Sequence, residues 1–238
     1  MKRPFSLSPR LRAVAELVPA GSRLVDVGTD HGRLPVWLIQ HGVIESAVAT
    51  DLREKPLNRA KELAQRWEIT DRVSFRLCDG LSQVTSQEAQ VVTIAGMGGE
   101  TIAEILRAAP WAAEGERRYI LQPMSGADGL RRYLSGHGFE IRQEILVEED
   151  QTLYLILLAE PGKAAPYSEG EIWVGRQFPR RDSPLRSRYL EQELGKLRWA
   201  VAGLAKSQRP EDREKSLYFE QVSLEVTQMK KEWDAWQA

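Results

Sequence analysis

Between residues 22 and about 122, short runs of β-branched and apolar residues alternate with longer stretches whose apolar positions recur every three or four residues. Such alternation predicts βα units and hence a parallel sheet. Five runs are the expected strands: Ser22 to Val27, Ser46 to Thr50, Val73 to Leu77, Gln90 to Ala95 and Arg118 to Gln122. The segments between them suit helices. Leu57, Ala60, Leu63, Ala64 and Trp67 share one helical face behind a first-turn Pro56, and Thr101 to Ala109 has the same periodicity. Ahead of the first strand, Leu7, Leu11, Val14, Ala15 and Val18 form an apolar face that ends at Pro19-Ala20-Gly21.

After the fifth strand the pattern changes. Gly126 to His137 predicts a helix stopped at Gly138, and Phe139 to Val147 and Thr152 to Ala159 are strands joined by Glu148-Glu149-Asp150-Gln151. They make a hairpin, so an antiparallel edge should close an otherwise parallel sheet. Beyond Glu160, the residues Pro161, Gly162, Pro166, Gly170, Gly175, Pro179 and Pro184 mark a connector. Then Leu190, Leu194, Leu197, Val201 and Leu204 step by 4, 3, 4 and 3, and Tyr218, Val222, Val226, Met229, Trp233 and Trp236 step by 4, 4, 3, 4 and 3. One apolar seam on each of two helices, joined by a turn containing Pro210, predicts a coiled-coil-like α-helical hairpin. The expected division is thus an α/β domain over residues 1–160, followed by the connector and helical hairpin over residues 161–238.

Composition narrows the function classes. With 42% hydrophobic and 28% charged residues, the chain is globular rather than disordered. Lys plus Arg number 33 and Asp plus Glu 34, so no global positive field recruits nucleic acid and RNA binding must be local. The single cysteine, Cys78, excludes an internal disulfide and any zinc site built on two thiolates of this chain, which fits a reducing cytosol. Uncharged runs such as Leu34 to Ile44 stop far short of the roughly 20 apolar residues that cross a bilayer. Met1-Lys2-Arg3-Pro4-Phe5 lacks the apolar core of an export signal, so a cytoplasmic protein without membrane or metal partners is expected.

Candidate chemistry clusters at the strand ends. The first strand runs into Asp26-Val27-Gly28-Thr29-Asp30-His31-Gly32, where glycine lets backbone approach a ligand and helix-end amides favour negative groups, a nucleoside cofactor being the natural occupant. The spacing is Gly-x-x-x-Gly rather than the Gly-x-Gly-x-x-Gly of a pyrophosphate cradle, and Asp30 sits in the middle of it. That carboxylate would repel two phosphates and attract the sulfonium and amino group of S-adenosylmethionine. A solvated turn capped by Asp30 is the plainer alternative. Asp51 ends the second strand, where a carboxylate can accept from both ribose hydroxyls, and Asp79, beside Gly80, follows the third, within reach of an adenine amino group. Singly, each of Asp26, Asp51 and Asp79 is an ordinary turn residue; in register on successive strands they point to one ligand crevice.

The fourth strand opens into Ala95-Gly96-Met97-Gly98-Gly99, a glycine-lined floor beside which a planar base can slide, with Met97 as an adaptable apolar contact. A plain strand-to-helix turn would need only one of those glycines. Gln122-Pro123 closes the fifth strand near the same crevice. His31 is a candidate for orienting substrate, although an isolated histidine is more often structural, whereas His41 and His137 end helices and suit local C-terminal partners. Arg117, Arg118, Arg131 and Arg132 form either a phosphate-binding patch or a solvated face.

These stretches resemble the TrmK-type tRNA (adenine-N1)-methyltransferases, class I enzymes that use S-adenosylmethionine. The matching motifs are L-S-P-R-L-R-A-V-A, V-D-V-G-T-D-H-G-R-L-P, A-T-D-L-R-E-K-P-L, R-L-C-D-G-L, I-A-G-M-G-G-E-T-I, L-Q-P-M and E-D-Q-T-L-Y, in order from residue 6 to about 160. The resemblance implies a seven-stranded Rossmann-like sheet, mostly parallel with an antiparallel final hairpin, and a C-terminal helical domain. It implies methylation of N1 of an adenine, position 22 in the D-arm region, of bacterial tRNA. Carried over by position, Asp26, Gly28, Thr29, Asp30, Asp51, Leu52, Asp79, Gly80, Ala95, Gly96 and Met97 would contact the cofactor. Asp30, His31, Gly98, Gln122 and Pro123 would form the catalytic pocket. The chain departs from the family at Lys55 and Cys78, where glycine is usual, and at Gly32-Arg33, often Ala-Tyr. The carboxylates that would hold the adenosyl half are intact. A small-molecule methyltransferase, an NAD oxidoreductase and a catalytically idle RNA-binding scaffold are the rival readings, and the oligomeric state is left as monomer or homodimer.

Overall fold

A computed structural model of the chain describes residues 5–178, 183–207 and 209–237; Pro179 of the expected connector and the first four residues lie outside them. The chain divides into two compact units, Met1–Ala164 and Ala165–Ala238.

In the first unit, helix α1 (Pro9–Glu16) precedes strand β1 (Leu24–Val27), α2 (Arg33–Gln40), β2 (Ala47–Asp51), α3 (Glu54–Arg66), β3 (Val73–Leu77), β4 (Val91–Gly98), α4 (Gly99–Arg107), β5 (Arg118–Ser125), α5 (Ala127–Gly136), β6 (Phe139–Glu149) and β7 (Thr152–Pro161). The strands form one seven-stranded sheet in the order β3-β2-β1-β4-β5-β7-β6. Every residue of β1 and β2 is buried, as suits central parallel strands covered on both faces. Because parallel crossovers are right-handed, moving outward from β1 to β3 and in the opposite direction from β4 to β5 puts α2 and α3 on one face and α4 on the other. The connections therefore diverge between β1 and β4, where a crevice opens at the carboxyl ends of the strands.

The final hairpin makes the expected antiparallel edge, with one detail the pattern left open and one that differs. Strand β7 inserts between β5 and β6 and pairs antiparallel with both, so β6 is the sheet edge. The loop is also shorter, because Glu148 and Glu149 continue β6 and pair with Leu153 and Thr152. Only Asp150 and Gln151 turn the chain, at φ 49° and 64°, the left-handed pair of a type I′ turn whose twist matches the flanking strands.

Strands β4 and β5 also outrun their expected ends. The stretch Gly96-Met97-Gly98 is strand rather than turn: it stays paired with β5 through Met97–Pro123 and Gly98–Ser125, with register shifts on either side of Met97. Here the irregular pairing passes through Gly96 at φ 79°, a backbone conformation that glycine adopts without strain. Pro123 is tolerated because β7 pairs with β5 only over Tyr119 to Leu121.

The second unit holds α6 (Glu169–Val174), α7 (Arg186–Leu204) and α8 (Pro210–Gln237). Helix α6 falls inside the expected connector, and its start carries a capping box: Ser168 Oγ accepts from the Glu171 amide while the Glu171 carboxylate accepts from the Ser168 amide. Buried Arg186 donates to the Val174 and Gly175 carbonyls at 2.6 and 2.8 Å, closing the other end of α6. Ser187 at the start of α7 meets Asp234 near the end of α8 at 3.3 Å, so the pair is antiparallel. Leu190, Leu194, Leu197, Val222, Val226 and Trp233 bury the seam, whereas Trp236 is 43% exposed. Pro210 is not in the turn but opens α8, where its missing N–H costs nothing.

Candidate active site

One cavity of about 550 Å³ lies at the carboxyl ends of β1 to β4. Asp26, Gly28, Thr29, Asp30, His31, Asp51, Leu52, Asp79, Gly80, Ala95, Gly96 and Met97 all line it. Gly98, Gln122 and Pro123 do not.

The β1–α2 turn is built to bring backbone close. Gly28, Asp30 and Gly32 take φ of 67°, 50° and 66°. At Gly28 a Cβ would sit 2.1 Å from Met97 Cε, and at Gly32 it would sit 2.9 Å from Ala60 Cβ on α3. Asp30 holds its strained conformation because its amide donates to Asp51 Oδ2 at 3.1 Å. The other Asp51 oxygen accepts from the Arg53 amide at 2.9 Å. Two amides thus fix a carboxylate that is only 6% exposed, and each oxygen keeps a lone pair for a ligand hydroxyl.

Asp26 plays a different part from the other carboxylates. It is buried beneath the cavity, and its Oδ1 accepts from Thr93 Oγ1 at 2.7 Å across the β1–β4 junction. Burial pushes its pKa up to about 6, with the neighbouring threonine hydroxyls opposing the shift and Asp51 adding to it. Thr29 is buried in the cavity wall beside Asp26, and its hydroxyl faces that carboxylate. Asp79 is exposed at the far rim. Next to it, Gly80 at φ 51° packs so tightly on Ile105 that a Cβ would come within 2.9 Å, while its carbonyl accepts from Thr50 Oγ1 at 3.0 Å.

His31 stands at the mouth, 3.7 Å from Asp30 Oδ1, and takes a hydrogen bond from Arg59 at 2.8 Å. Arginine can only donate, so His31 Nε2 is the acceptor and the proton of a neutral ring sits on Nδ1. Gln122 is fully buried. Its Oε1 accepts from the Gly96 amide at 3.0 Å and from Arg10, and its Nε2 donates to the Pro123 carbonyl. It props the β4 bulge from beneath instead of facing a ligand. Gly98 caps α4 with its nearest neighbour, Ser125 Oγ, 3.5 Å from where a Cβ would stand. The tight contact belongs to Gly99, whose Cβ would fall 2.1 Å from the Gly126 carbonyl oxygen.

Several lining residues escaped the sequence reading, notably Arg10 and Leu11 from α1, Arg33, Arg53, and Thr101 and Ile105 from α4. Arg10 and Leu11 fall within the L-S-P-R-L-R-A-V-A motif, although the residue pattern there shows only an apolar face. Glu149, at the tip of β6, accepts from the Arg10 amide at 2.9 Å and so draws the first turn of α1 to the site. Despite its partial burial, that amide, the Ser8 hydroxyl and the Arg10 charge hold the Glu149 carboxyl below its usual range. Of the candidate phosphate patch, Arg131 is fully buried and bidentate on Glu144, with both contacts at 2.8 Å. Arg117 donates to the Trp111, Glu114 and Ser86 carbonyls, and Arg118 pairs with Glu160 at 3.3 Å. These arginines serve the fold, not a phosphate. His41 and His137 bond the carbonyls of Trp37 and Tyr133, each at 2.8 Å, as local C-terminal partners.

The cavity suits an adenosyl group with a cationic tail. Asp51 keeps lone pairs free at the cavity wall, Asp79 stands exposed at its rim, and the glycines bring backbone close to it. Asp30, Asp51 and Asp79 in one wall oppose a pyrophosphate. No helix among the described residues is long and apolar enough to cross a membrane, and no cluster of three or more His, Cys, Asp or Glu side chains among them could hold a metal ion.

Comparisons with known proteins agree. A family model described as a methyltransferase domain matches residues 7–157. The tRNA (adenine(22)-N(1))-methyltransferase of Bacillus subtilis is 36% identical over 158 residues, 66% of this chain and 66% of that protein. The crystal structure of the B. subtilis m1A22 tRNA methyltransferase TrmK superposes with a TM-score of 0.84 at 28% identity, covering 94% of this chain and 99% of that one. The M. capricolum TrmK structure in complex with S-adenosylhomocysteine gives 0.79 at 28% identity, covering 95% and 99%.

Proposed function

The chain belongs to the methyltransferase-domain family, among TrmK-type proteins, and we propose that it transfers a methyl group from S-adenosylmethionine to N1 of an adenine in tRNA, adenine 22 as in the B. subtilis relative, in the bacterial cytoplasm. The observation that carries the reading is Asp51: a buried carboxylate at the end of β2, fixed by two backbone amides, its free lone pairs lining the cavity beside Gly28. The cofactor supplies an electrophilic methyl group on a sulfonium.

Adenine N1 carries an in-plane lone pair, so no general base is needed to make a nucleophile. What the chain must supply is position and a dry pocket. Gly28, Gly96 and Met97 shape the floor, with Gln122 holding the bulge that aims Met97 toward Gly28. Methylation leaves the base cationic, and Asp30, rigid in its left-handed turn at the cavity mouth, is placed to stabilise that charge. His31, its Nε2 accepting from Arg59, orients the incoming base. The N1 edge is paired or stacked in an RNA helix, so the base must be splayed out at a cost of a few kcal/mol. Phosphate and stacking contacts on the tRNA body offset that cost. The second unit offers them in Trp199, 78% exposed, flanked by the exposed side chains of Lys196 and Arg198.

The test is transfer of labelled methyl from S-adenosylmethionine to unmodified bacterial tRNA, followed by nucleoside analysis. N1-methyladenosine is expected. Cofactor binding without transfer to tRNA would instead point to a small-molecule substrate.

A further inference from the structure

Gly98 is a glycine that the fold does not require. Its φ of −66° and ψ of 148° suit any residue, and a Cβ there would meet no neighbouring element closer than 3.5 Å, an ordinary contact. At Gly28, Gly80 and Gly99, by contrast, a Cβ would fall within 3.0 Å of another atom, and the first two also take positive φ.

The space left above Gly98 is bordered by reactive-edge chemistry. Outside its chain neighbours, two atoms lie within 4 Å of the place where the Cβ would stand, and both are hydroxyl oxygens: Ser125 Oγ at 3.5 Å and Thr101 Oγ1 at 3.9 Å. They come from different elements, the end of β5 and the first turn of α4, and the pairing of Gly98 with Ser125 brings them together. Both residues are exposed, and neither hydroxyl is bonded to another group among the described residues. A pair of hydroxyls around a glycine that packing does not demand is an arrangement for a ligand edge, not for the core.

The strand order says which ligand reaches it. On the S-adenosylmethionine reading, Asp51 at the end of β2 and Asp79 after β3 take the nucleoside, so the methyl group is presented toward β4, beyond β1. In-line attack then brings the acceptor base from the far side of the methyl group, over the carboxyl ends of β4 and β5. Gly98 and Ser125 end those two strands, and Thr101 lines the cavity itself. Asp30 and His31, in the β1–α2 turn, border the same cavity.

We propose that the gap over Gly98 admits the edge of the target adenine and that the Ser125 and Thr101 hydroxyls accept hydrogen bonds from its 6-amino group, which neighbours N1 and carries two N–H donors. The proposal rests on the methyl-transfer reading and names this chain's contacts to the acceptor base. As the N1 lone pair forms its bond to the methyl carbon, the carbon–sulfur bond breaks, its electron pair stays on sulfur and the ring becomes cationic; no proton moves. A cationic ring makes the 6-amino group a stronger donor, so these hydrogen bonds strengthen in the transition state and act on kcat more than on KM. A Cβ on residue 98 would occupy the place the base needs.

The test is labelled methyl transfer by the full chain to tRNA carrying either adenine or purine at the target position, purine lacking the 6-amino group. Tm and S-adenosylhomocysteine affinity are measured alongside. The double variant Ser125→Ala with Thr101→Val should lose about tenfold or more in kcat with adenine, while KM for tRNA and S-adenosylhomocysteine affinity stay within about threefold. The wild type's preference for adenine over purine also contains the weaker basicity of purine N1; in the double variant that preference should shrink about fivefold or more. Gly98→Ala should keep its Tm within a few degrees and its S-adenosylhomocysteine affinity within about threefold, but lose about thirtyfold or more in kcat/KM for tRNA. An unchanged preference for adenine in the double variant, or turnover by Gly98→Ala close to that of the wild type, would overturn the proposal. So would a folded Gly98→Ala that loses S-adenosylhomocysteine affinity in step with turnover. The double variant decides the matter should Gly98→Ala fail to fold. Absence of transfer to adenine-containing tRNA by the wild type would overturn the methyl-transfer reading itself.

Discussion

Asp51→Asn separates the ribose role of this carboxylate from its structural role, because the two side chains have the same shape. The carboxylate accepts from the Asp30 and Arg53 amides at 3.1 and 2.9 Å and would accept from two ribose hydroxyls. An asparagine keeps one oxygen and turns an NH₂ toward either Asp30 or Arg53, donor against donor. Leaving one amide unsatisfied costs about 1–3 kcal/mol of stability, a fall in Tm of several degrees for a unit of this size. Affinity suffers more. Hydrogen bonds to a charged acceptor contribute about 1.5–3 kcal/mol each, so exchanging two for one neutral bond should cost about 2–4 kcal/mol, or roughly 30- to 1,000-fold in Kd. Calorimetry with S-adenosylhomocysteine measures it directly. A 2′-deoxy analogue, which already lacks one hydroxyl, should lose less on the same substitution. If Asp51→Asn binds S-adenosylhomocysteine within threefold of the wild type, Asp51 does not hold the ribose.

Four further outcomes follow from the geometry. Because burial raises the Asp26 pKa from 3.8 to about 6, the folded state holds a proton that the unfolded chain has already lost between those values. The stability from this group is therefore complete below about pH 4 and falls by roughly 3 kcal/mol as pH rises through 6; Asp26→Asn should remove that slope in denaturant titrations, and an unchanged slope would place the titration elsewhere. Gly99→Ala drives a Cβ to within 2.1 Å of the Gly126 carbonyl oxygen, so its Tm should fall about 5–10 °C further than that of Gly98→Ala, whose nearest neighbour is at 3.5 Å. Asp30→Asn should reduce kcat about tenfold or more at saturating cofactor; full turnover would end its proposed role in stabilising the cationic base. Trp199→Ala should raise KM for tRNA several-fold while S-adenosylhomocysteine affinity stays constant, as expected if the tryptophan stacks on RNA.

The sequence conveyed the order of elements well, because parallel strands buried on both faces are written as unbroken apolar runs. Thus β3 begins and ends where its residues suggest, and β1 and β2 are off by a residue or two. Where glycine and proline carry the pattern, it misled. Gly96-Met97-Gly98 looks like a turn yet continues β4, because the positive φ that glycine permits serves an irregular strand as well as a turn. Pro123 suggests an end to β5, but a strand unpaired on one side accepts it. The capping box at Ser168 was legible but was masked by the surrounding prolines and glycines. The site carboxylates were legible because each ends a strand. Arg10 was not, since it reaches the cavity through a contact with Glu149, 139 residues away, that no local pattern records. Likewise Gln122 ends the expected fifth strand near the crevice but is buried away from the cavity, and only its buried hydrogen bonds reveal that.

That long-range contact also has a temporal meaning. During synthesis the crevice between β1 and β4 can form once β4 has emerged, but α1 gains its anchor at Glu149 only after β6 has been made, and the sheet closes only when β7 slots between β5 and β6. Loop closure across so many residues comes late in folding. A nascent chain stopped before residue 149 would therefore hold the nucleoside wall but not the Arg10 wall. The complete lining of the cavity thus reports that the whole first unit, from its first helix to its last strand, has been assembled.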